Sequence, residues 1–191
     1  MIKTTVSGAD KAGEALRKAL QDFMTTKRVT VGIHEDDNAR ASGEMTNAKL
    51  GAIHEFGADI NHPGGTSYGY ATQKDAENGK VKFLANGSGF MVLGVTEPHK
   101  IVIPARPWLE PGVRGGTKKY LQVIKDAVED GETLEQALNR VGVIAVAEVQ
   151  QYMTKLRTPP NAPSTVAKKG SSNPLIDSGA LRQSVDYKVE N

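Results

Sequence analysis

The chain has no cysteine, few aromatic side chains and no long apolar run. Its 191 residues contain only 5% Phe, Trp and Tyr. The missing cysteine excludes disulfides, thiolate zinc sites and a cysteine nucleophile. No apolar run approaches the roughly 18 residues of a membrane span, which predicts no membrane partner. The first residues, MIKTTVSGADKAG, lack an apolar h-region, so we expect no signal peptide.

Charge is nearly balanced, with 24 basic and 22 acidic residues and a net charge of +2. A dedicated DNA-binding domain shows a basic footprint that this composition lacks, although local contact with DNA in a channel stays open. An apolar fraction of 38% supports one modest core. Twenty Gly and nine Pro indicate many turns and loops without the level typical of a disordered chain.

Apolar residues at helical spacing predict four helices. The first runs from Ser7 to about Thr26, and a short one follows Thr46 or Asn47 and is closed by Gly57. A third spans Thr117–Glu129, with Tyr120, Leu121, Ile124 and Val128 inward. The longest has about 24 residues, opens at Thr133 with Gln136 in capping-box spacing and ends before Pro159.

Alternating and β-branched runs predict the strands. These are Val29–His34, Lys80–Ala85 and Phe90–Val95 as a hairpin about Asn-Gly-Ser-Gly, Ile101–Ile103, and a last strand within Leu181–Val189. Helices and strands mix without regular βαβ spacing. The pattern therefore predicts an α+β fold, with a small antiparallel or mixed sheet packed against a long C-terminal helix and an N-terminal helix.

The domain organisation predicted is one domain over residues 1–191 with long loop insertions. An extended loop or hairpin insertion occupies about 58–100, and a Pro/Ser/Lys-rich linker at about 157–173 precedes the final strand. Asp36–Met45 and Arg106–Gly116 are expected to be loops. Asn61–Gly79 has almost no aliphatic side chains, so we expect an exposed or disordered excursion there.

Two clusters invite a chemical interpretation. His54-Glu55 lacks the second His of the helical zinc-protease pattern, because position 58 is Ala58. We interpret the pair as a helix-end element in which His54 holds an Arg or a carbonyl. Asp177–Gly179 is interpreted as an N-cap and turn. A small metal-dependent hydrolase that uses His54 and Glu55 is kept as the enzymatic alternative; otherwise no catalytic, cofactor or metal residue is assigned.

Arg106 is the charged residue whose surroundings are most restricted. It lies between Ala105 and Pro107, with Pro104 before it and Trp108, the only Trp, after it. An Arg on a stiff loop can clamp a carboxylate, here Glu55 or Asp177, and Trp can fill a core edge or an interface. An internal staple and a subunit contact both fit this pattern.

Three segments, taken in order, resemble one protein family. Leu50–Gly57, Ile103–Leu109 and Pro174–Val185 together resemble the tail-completion and neck proteins of tailed bacteriophages, of the minor tail protein Z type. The resemblance spans roughly residues 28 to 190, and it departs from the family pattern at Trp108, where Phe is commoner, and Ser178, where Thr is commoner. The motif positions are His54, Glu55, Phe56, Gly57, Pro104, Arg106, Pro107, Trp108, Asp177, Gly179, Leu181 and Arg182.

The resemblance implies a structural virion protein without cofactors. Such a protein joins head to tail or completes the tail, in a ring of identical subunits for which a hexamer is expected. Its partners would be tail-tube and connector or neck proteins, and its location the virion, after assembly in the host cytoplasm. Tail terminator and minor capsid protein are alternatives within the same assembly, which the motifs do not separate.

Overall fold

The computed structural model describes residues 27–34 and 45–190 and confirms the α+β prediction. Its helices are α1 Asn47–Phe56, α2 Gln73–Glu77, α3 Leu109–Gly115, α4 Thr117–Glu129, α5 Leu134–Lys155, α6 Pro163–Lys169 and α7 Ala180–Gln183. Its strands are β1 Arg28–Gly32, β2 Ala58–His62, β3 Ser67–Tyr70, β4 Lys82–Phe83, β5 Met91–Val95, β6 His99–Ile103 and β7 Asp186–Glu190. The predicted helix Ser7–Thr26 and most of the predicted loop Asp36–Met45 lie outside the described residues.

The chain divides into two compact units. Gly57–Pro104, here called the insert unit, forms one, and the sequence on either side of it forms the other, here called the main unit. The insert unit has nearly the bounds of the insertion expected at 58–100. Within the described part of the chain, no helix has both the length and the apolar content to cross a membrane.

Helix α5 is the centre of the main unit. Its start is the predicted capping box: Thr133 Oγ1 accepts the Gln136 N–H, and Gln136 Oε1 accepts the Thr133 N–H at 2.8 Å. Helices α3 and α4 and strands β1 and β7 all pack on it. Its buried stripe and the neighbouring segments form one apolar core, made of Trp108, Val149, Met153, Leu156, Leu175, Leu181 and Val185.

Strands β1 and β7 join the two ends of the described chain. They pair antiparallel from Arg28 opposite Glu190 to Gly32 opposite Asp186. Val31 packs against the core, as the alternating pattern of this strand predicts. The final strand thus returns to the main unit's own sheet.

The insert unit holds two small sheets. Strands β2 and β6 pair antiparallel as a ribbon, and β3 lies between β4 and β5 in a three-stranded sheet. The predicted hairpin of Lys80–Ala85 with Phe90–Val95 is therefore wrong, because β4 and β5 each pair with β3 and not with each other. Asn86 and Gly87 do adopt the positive φ angles of a turn, but in a short 3₁₀ turn.

Asn61–Gly79 also differs from the expected excursion. It contains β3 and α2, and Thr72 Oγ1 caps α2 by accepting the Asp75 N–H at 3.1 Å. The segment's low aliphatic content misled the prediction, because a strand with alternating Tyr and a short polar helix need few aliphatic side chains.

Two other predicted loops contain helices. Arg106–Gly116 includes α3, since Pro111 lies in the first turn, where its missing N–H costs no intrahelical bond. The linker 157–173 includes α6, which begins at Pro163 and closes at Gly170 in the left-handed region.

Helix α4 has its predicted bounds but a different buried face. Leu121 is 64% exposed and Val128 is 48% exposed, while Ala127 is buried and Tyr120 and Ile124 are half-buried. The predicted inward position of Leu121 and Val128 is wrong. The helix packs on α5, and Ala127 is its buried residue, so the face that packs does not follow the largest apolar side chains.

Replacing Gly142 with Ala should destabilise the main unit. Gly142 lies in α5 under Tyr187 of β7, and a Cβ there would overlap the Tyr187 ring. We expect Gly142→Ala to lower the free energy of unfolding by about 1–3 kcal/mol, measured by urea denaturation. Gly115→Ala is the control, since a Cβ at that position meets nothing within 4 Å. Equal stability of the two variants would contradict this packing.

Candidate functional site

The structure brings the three motif segments together in the main unit. The end of α1 carries His54 and Glu55, the loop before α3 carries Arg106 and Trp108, and the segment after α6 leads through α7 to β7. The Arg106 N–H donates to the His54 carbonyl at 2.6 Å, which fixes loop to helix. We call this junction the motif cluster.

Glu55 is the residue that joins the first two motifs. One carboxylate oxygen accepts the backbone N–H groups of Trp108 at 2.6 Å and Leu109 at 2.9 Å, and the other accepts that of Glu110 at 3.3 Å. These are N–H groups at the start of α3, which have no partner within their own helix. A carboxylate at a helix N-terminus also interacts favourably with the helix dipole. Glu55 therefore caps a helix from a distant part of the chain.

Arg106 holds the linker and not a carboxylate. It is only 5% exposed, its Nε donates to the Pro159 carbonyl at 2.8 Å, and one terminal nitrogen donates to the Pro160 carbonyl at 2.9 Å. The predicted clamp on Glu55 or Asp177 is thus wrong. Because Pro lacks an N–H, this segment cannot pair its backbone in a regular ladder, and a side chain supplies the donors for these two carbonyls. Arg106 thus bonds another segment of the same chain, as the internal staple would, and the subunit contact stays a prediction.

Trp108 fills the core. It is 3% exposed, and its indole N–H donates to the Gly51 carbonyl at 3.0 Å, so the one polar atom of the ring is satisfied. The close approach of the ring to α1 uses the absence of a side chain at Gly51. Of the predicted positions around it, Phe56, Pro104 and Pro107 are exposed, and Gly57 has the expected left-handed φ of 77°.

Asn173 holds the start of the third motif through side-chain hydrogen bonds. The sequence analysis did not identify this residue. Its side-chain oxygen accepts the N–H groups of Leu175 and Ile176, and its amide nitrogen donates to the carbonyls of Met153 and Thr154 at the end of α5. It is buried, so each of these bonds satisfies a group with little access to water. An Asn just before the Pro-Leu pair was the available signal, since Asn commonly bonds backbone groups two and three residues on.

The rest of the third motif docks on the end of α5. Leu181 is buried in the core, Arg182 donates to Thr154 Oγ1 at 3.2 Å, and Gln150 donates to the Arg182 carbonyl. The N-cap of α7 is Gly179, in the left-handed region at φ 88°, which lies within the N-cap and turn predicted at Asp177–Gly179. Ser178 Oγ accepts the Ala180 N–H at 3.3 Å.

His54 lines a half-open cavity of about 290 Å³ with Lys169 and Asp177 on its wall. Its Nδ1 is buried and has no hydrogen-bond partner among the described residues, so this atom does not form the expected bond to an Arg or a carbonyl. Burial, and then the positive charges of Arg106 and Lys169, lower the pKa of His54 to about 4. Its imidazole is therefore neutral at physiological pH.

The cluster offers little to a metal ion. Glu55 already accepts three N–H groups, and no group of three or more His, Cys, Asp or Glu side chains able to hold a metal occurs among residues 27–34 and 45–190. Comparison with known proteins gives no further guide, because no family model, curated protein or solved structure matches the chain.

Removing the Glu55 carboxylate should destabilise the main unit. Glu55→Ala leaves three backbone N–H groups at the start of α3 without their acceptor, so we expect the free energy of unfolding to fall by about 1–3 kcal/mol. Glu110→Ala is the control, because it removes an exposed carboxylate that pairs with Arg114 and leaves all three N–H groups their acceptor. A Glu55→Ala protein as stable as Glu110→Ala would contradict the capping role.

His54 should make the fold less stable in acid. Its pKa in the folded protein, about 4, lies below the ordinary histidine value of 6.5, so between these values the unfolded chain binds a proton that the folded chain does not. The contribution is complete above pH 6.5 and is lost as pH falls toward 4. Urea denaturation measures the free energy of unfolding at about pH 7 and about pH 4.5. The loss of this free energy between the two pH values should be larger for wild type than for His54→Gln, because the carboxylates contribute equally in both proteins. Equal losses would contradict a buried neutral imidazole.

Proposed function

We propose that this chain is a structural virion protein of a bacteriophage neck or tail, which completes the tail or joins head to tail as part of a ring. The ordered set of three motifs is the reason for naming this class. A hexamer is the expected ring, with tail-tube and connector proteins as neighbours. Tail terminator and minor capsid protein remain alternatives within the same assembly.

The proposal is supported by the hydrogen bonds and packing of the motif side chains. Glu55 accepts backbone N–H groups, Arg106 donates to backbone carbonyls, and Trp108 fills the core. These residues look like candidates for chemistry in the sequence, yet their polar atoms are engaged in holding distant segments of one chain together. This role of the motif side chains favours a structural protein over an enzyme.

The metal-dependent hydrolase is supported less well. A general base needs a carboxylate that is free to take a proton from water or substrate. The Glu55 carboxylate instead accepts backbone N–H groups on both oxygens, so both are already engaged in holding the start of α3. His54 lies beside two cations, Arg106 and Lys169, and a metal cation bound there would be repelled by both.

The location of the protein tests the proposal. Mass spectrometry of gradient-purified virions of the phage that encodes this chain should detect it at a few copies per particle, with the major capsid protein as the internal standard. Particles that lack tails serve as the comparison, and a tail-completion role predicts loss of this chain from them. Complete absence of the chain from intact virions would overturn the proposal.

A further inference from the structure

The insert unit lacks a core of its own. In these 48 residues, all of which the structure describes, Leu84 is the single large apolar side chain that is buried. Ten others are exposed, and they are Ile60, Val81, Phe83, Phe90, Met91, Val92, Leu93, Val95, Ile101 and Val102. Small sheets need at least one covered apolar face for independent stability. The insert unit therefore has the composition of a structure that is completed by contact with another surface.

Strand β5 shows the mismatch most clearly. It reads MVLGV without a charge, and Phe90 precedes it. Continuous apolar runs are typical of strands that are buried on both faces. Yet β5 lies at the edge of the three-stranded sheet, and Phe90, Met91, Val92, Leu93 and Val95 are each between 47% and 59% exposed. Charged residues or Pro, which commonly protect edge strands, are absent from it.

The exposed area is large for a surface without function. The register with β3 places Val92 and Val95 on one face of the sheet and Met91 on the other, so the patch consists of Phe90, Val92 and Val95 with Leu93 at the register shift. These four half-exposed apolar side chains present roughly 300 Å², within the range of the largest patches on monomers, which are often functional. One partner of a standard interface contributes roughly 800 Å². The β5 patch, made of these four side chains, is thus sized for a central part of a modest interface.

Charge helps to select the partner. The insert unit has four acidic and four basic residues, Asp59, Asp75, Glu77, Glu97, Lys74, Lys80, Lys82 and Lys100, and so no net charge. Two of these acids are paired within the unit, Asp75 with Lys82 and Asp59 with Lys100. Copies of this unit do not repel each other, and an apolar patch of this kind does not match the phosphates of DNA.

We infer that the β5 patch is buried against a second copy of this chain. A ring of identical subunits, as in the proposed function, supplies one such copy for every patch, and to that extent the inference rests on the proposed function. A bulge interrupts the pairing of β5 with β3 between Tyr68 and Gly69. Since bulges work against regular edge pairing, the contact is made by apolar side chains and not by addition of a strand.

The test is self-association of the purified full-length chain. Sedimentation velocity should show a mass that rises with concentration through the micromolar range, either to a dimer or to a closed ring. Val92→Thr combined with Val95→Thr should weaken this association at least tenfold, because two desolvated methyl groups are replaced by hydroxyls. A chain that stays monomeric and joins only other virion proteins would overturn the inference.

Val102→Thr is the matched control. Val102 is 63% exposed and lies in the same unit, but it belongs to β6 beside the Asp59–Lys100 pair. The Val102→Thr protein should associate as strongly as wild type. If Val102→Thr weakened association as much as the Val92→Thr, Val95→Thr double variant does, the assignment of the contact to β5 would be overturned.

Hydrogen exchange gives a second readout that does not depend on variants. Amides of residues 90–96 should gain protection in wild type as concentration rises, while amides of α5 should not change. Unchanged exchange at 90–96 in the associated protein would place the contact elsewhere and overturn the inference. Self-association without incorporation into virions would instead contradict the proposed function alone.

Discussion

The main unit depends on one carboxylate. Glu55, at the end of α1, accepts three successive N–H groups at the start of α3, more than fifty residues further along the chain. This interaction fixes where the chain re-enters the main unit after Pro104. It also sets the position of Trp108, whose ring then closes the core between α1 and α5. Without an acceptor at this point, the first turn of α3 would be left with unsatisfied donors.

The remaining contacts of the motif cluster extend the same principle. Arg106 holds the carbonyls of Pro159 and Pro160, and Asn173 ties the segment after α6 to the end of α5. Side chains thus bond backbone groups at each place where an irregular segment crosses the core. Buried backbone groups need such partners, and loops cannot supply them from within. Together, the three motifs hold the irregular segments of a loop-rich chain in one conformation.

Local patterns predicted the parts of the fold that local chemistry decides. The capping box at Thr133, the left-handed Gly57 and the bounds of α4 followed from neighbouring residues. The pairing of β3 with both β4 and β5 did not, because strand order depends on contacts between distant segments. The partner of Arg106 was wrong for a related reason. Sequence suggested an opposite charge, whereas two Pro carbonyls provide the acceptors, and a backbone acceptor has no signature in residue type.

The central claim is that the motif cluster holds the fold of the main unit together. Hydrogen exchange of the amides that Glu55 caps tests this claim most directly. If Glu55 holds the start of α3 permanently, the amides of Trp108, Leu109 and Glu110 should exchange only through large-scale unfolding, with the protection of the central amides of α5. Residue-resolved exchange by NMR measures this. Rapid exchange of these three amides in a protein whose α5 stays protected would show that Glu55 is free much of the time. That result would contradict the structural account and return Glu55 to the list of candidate catalytic groups.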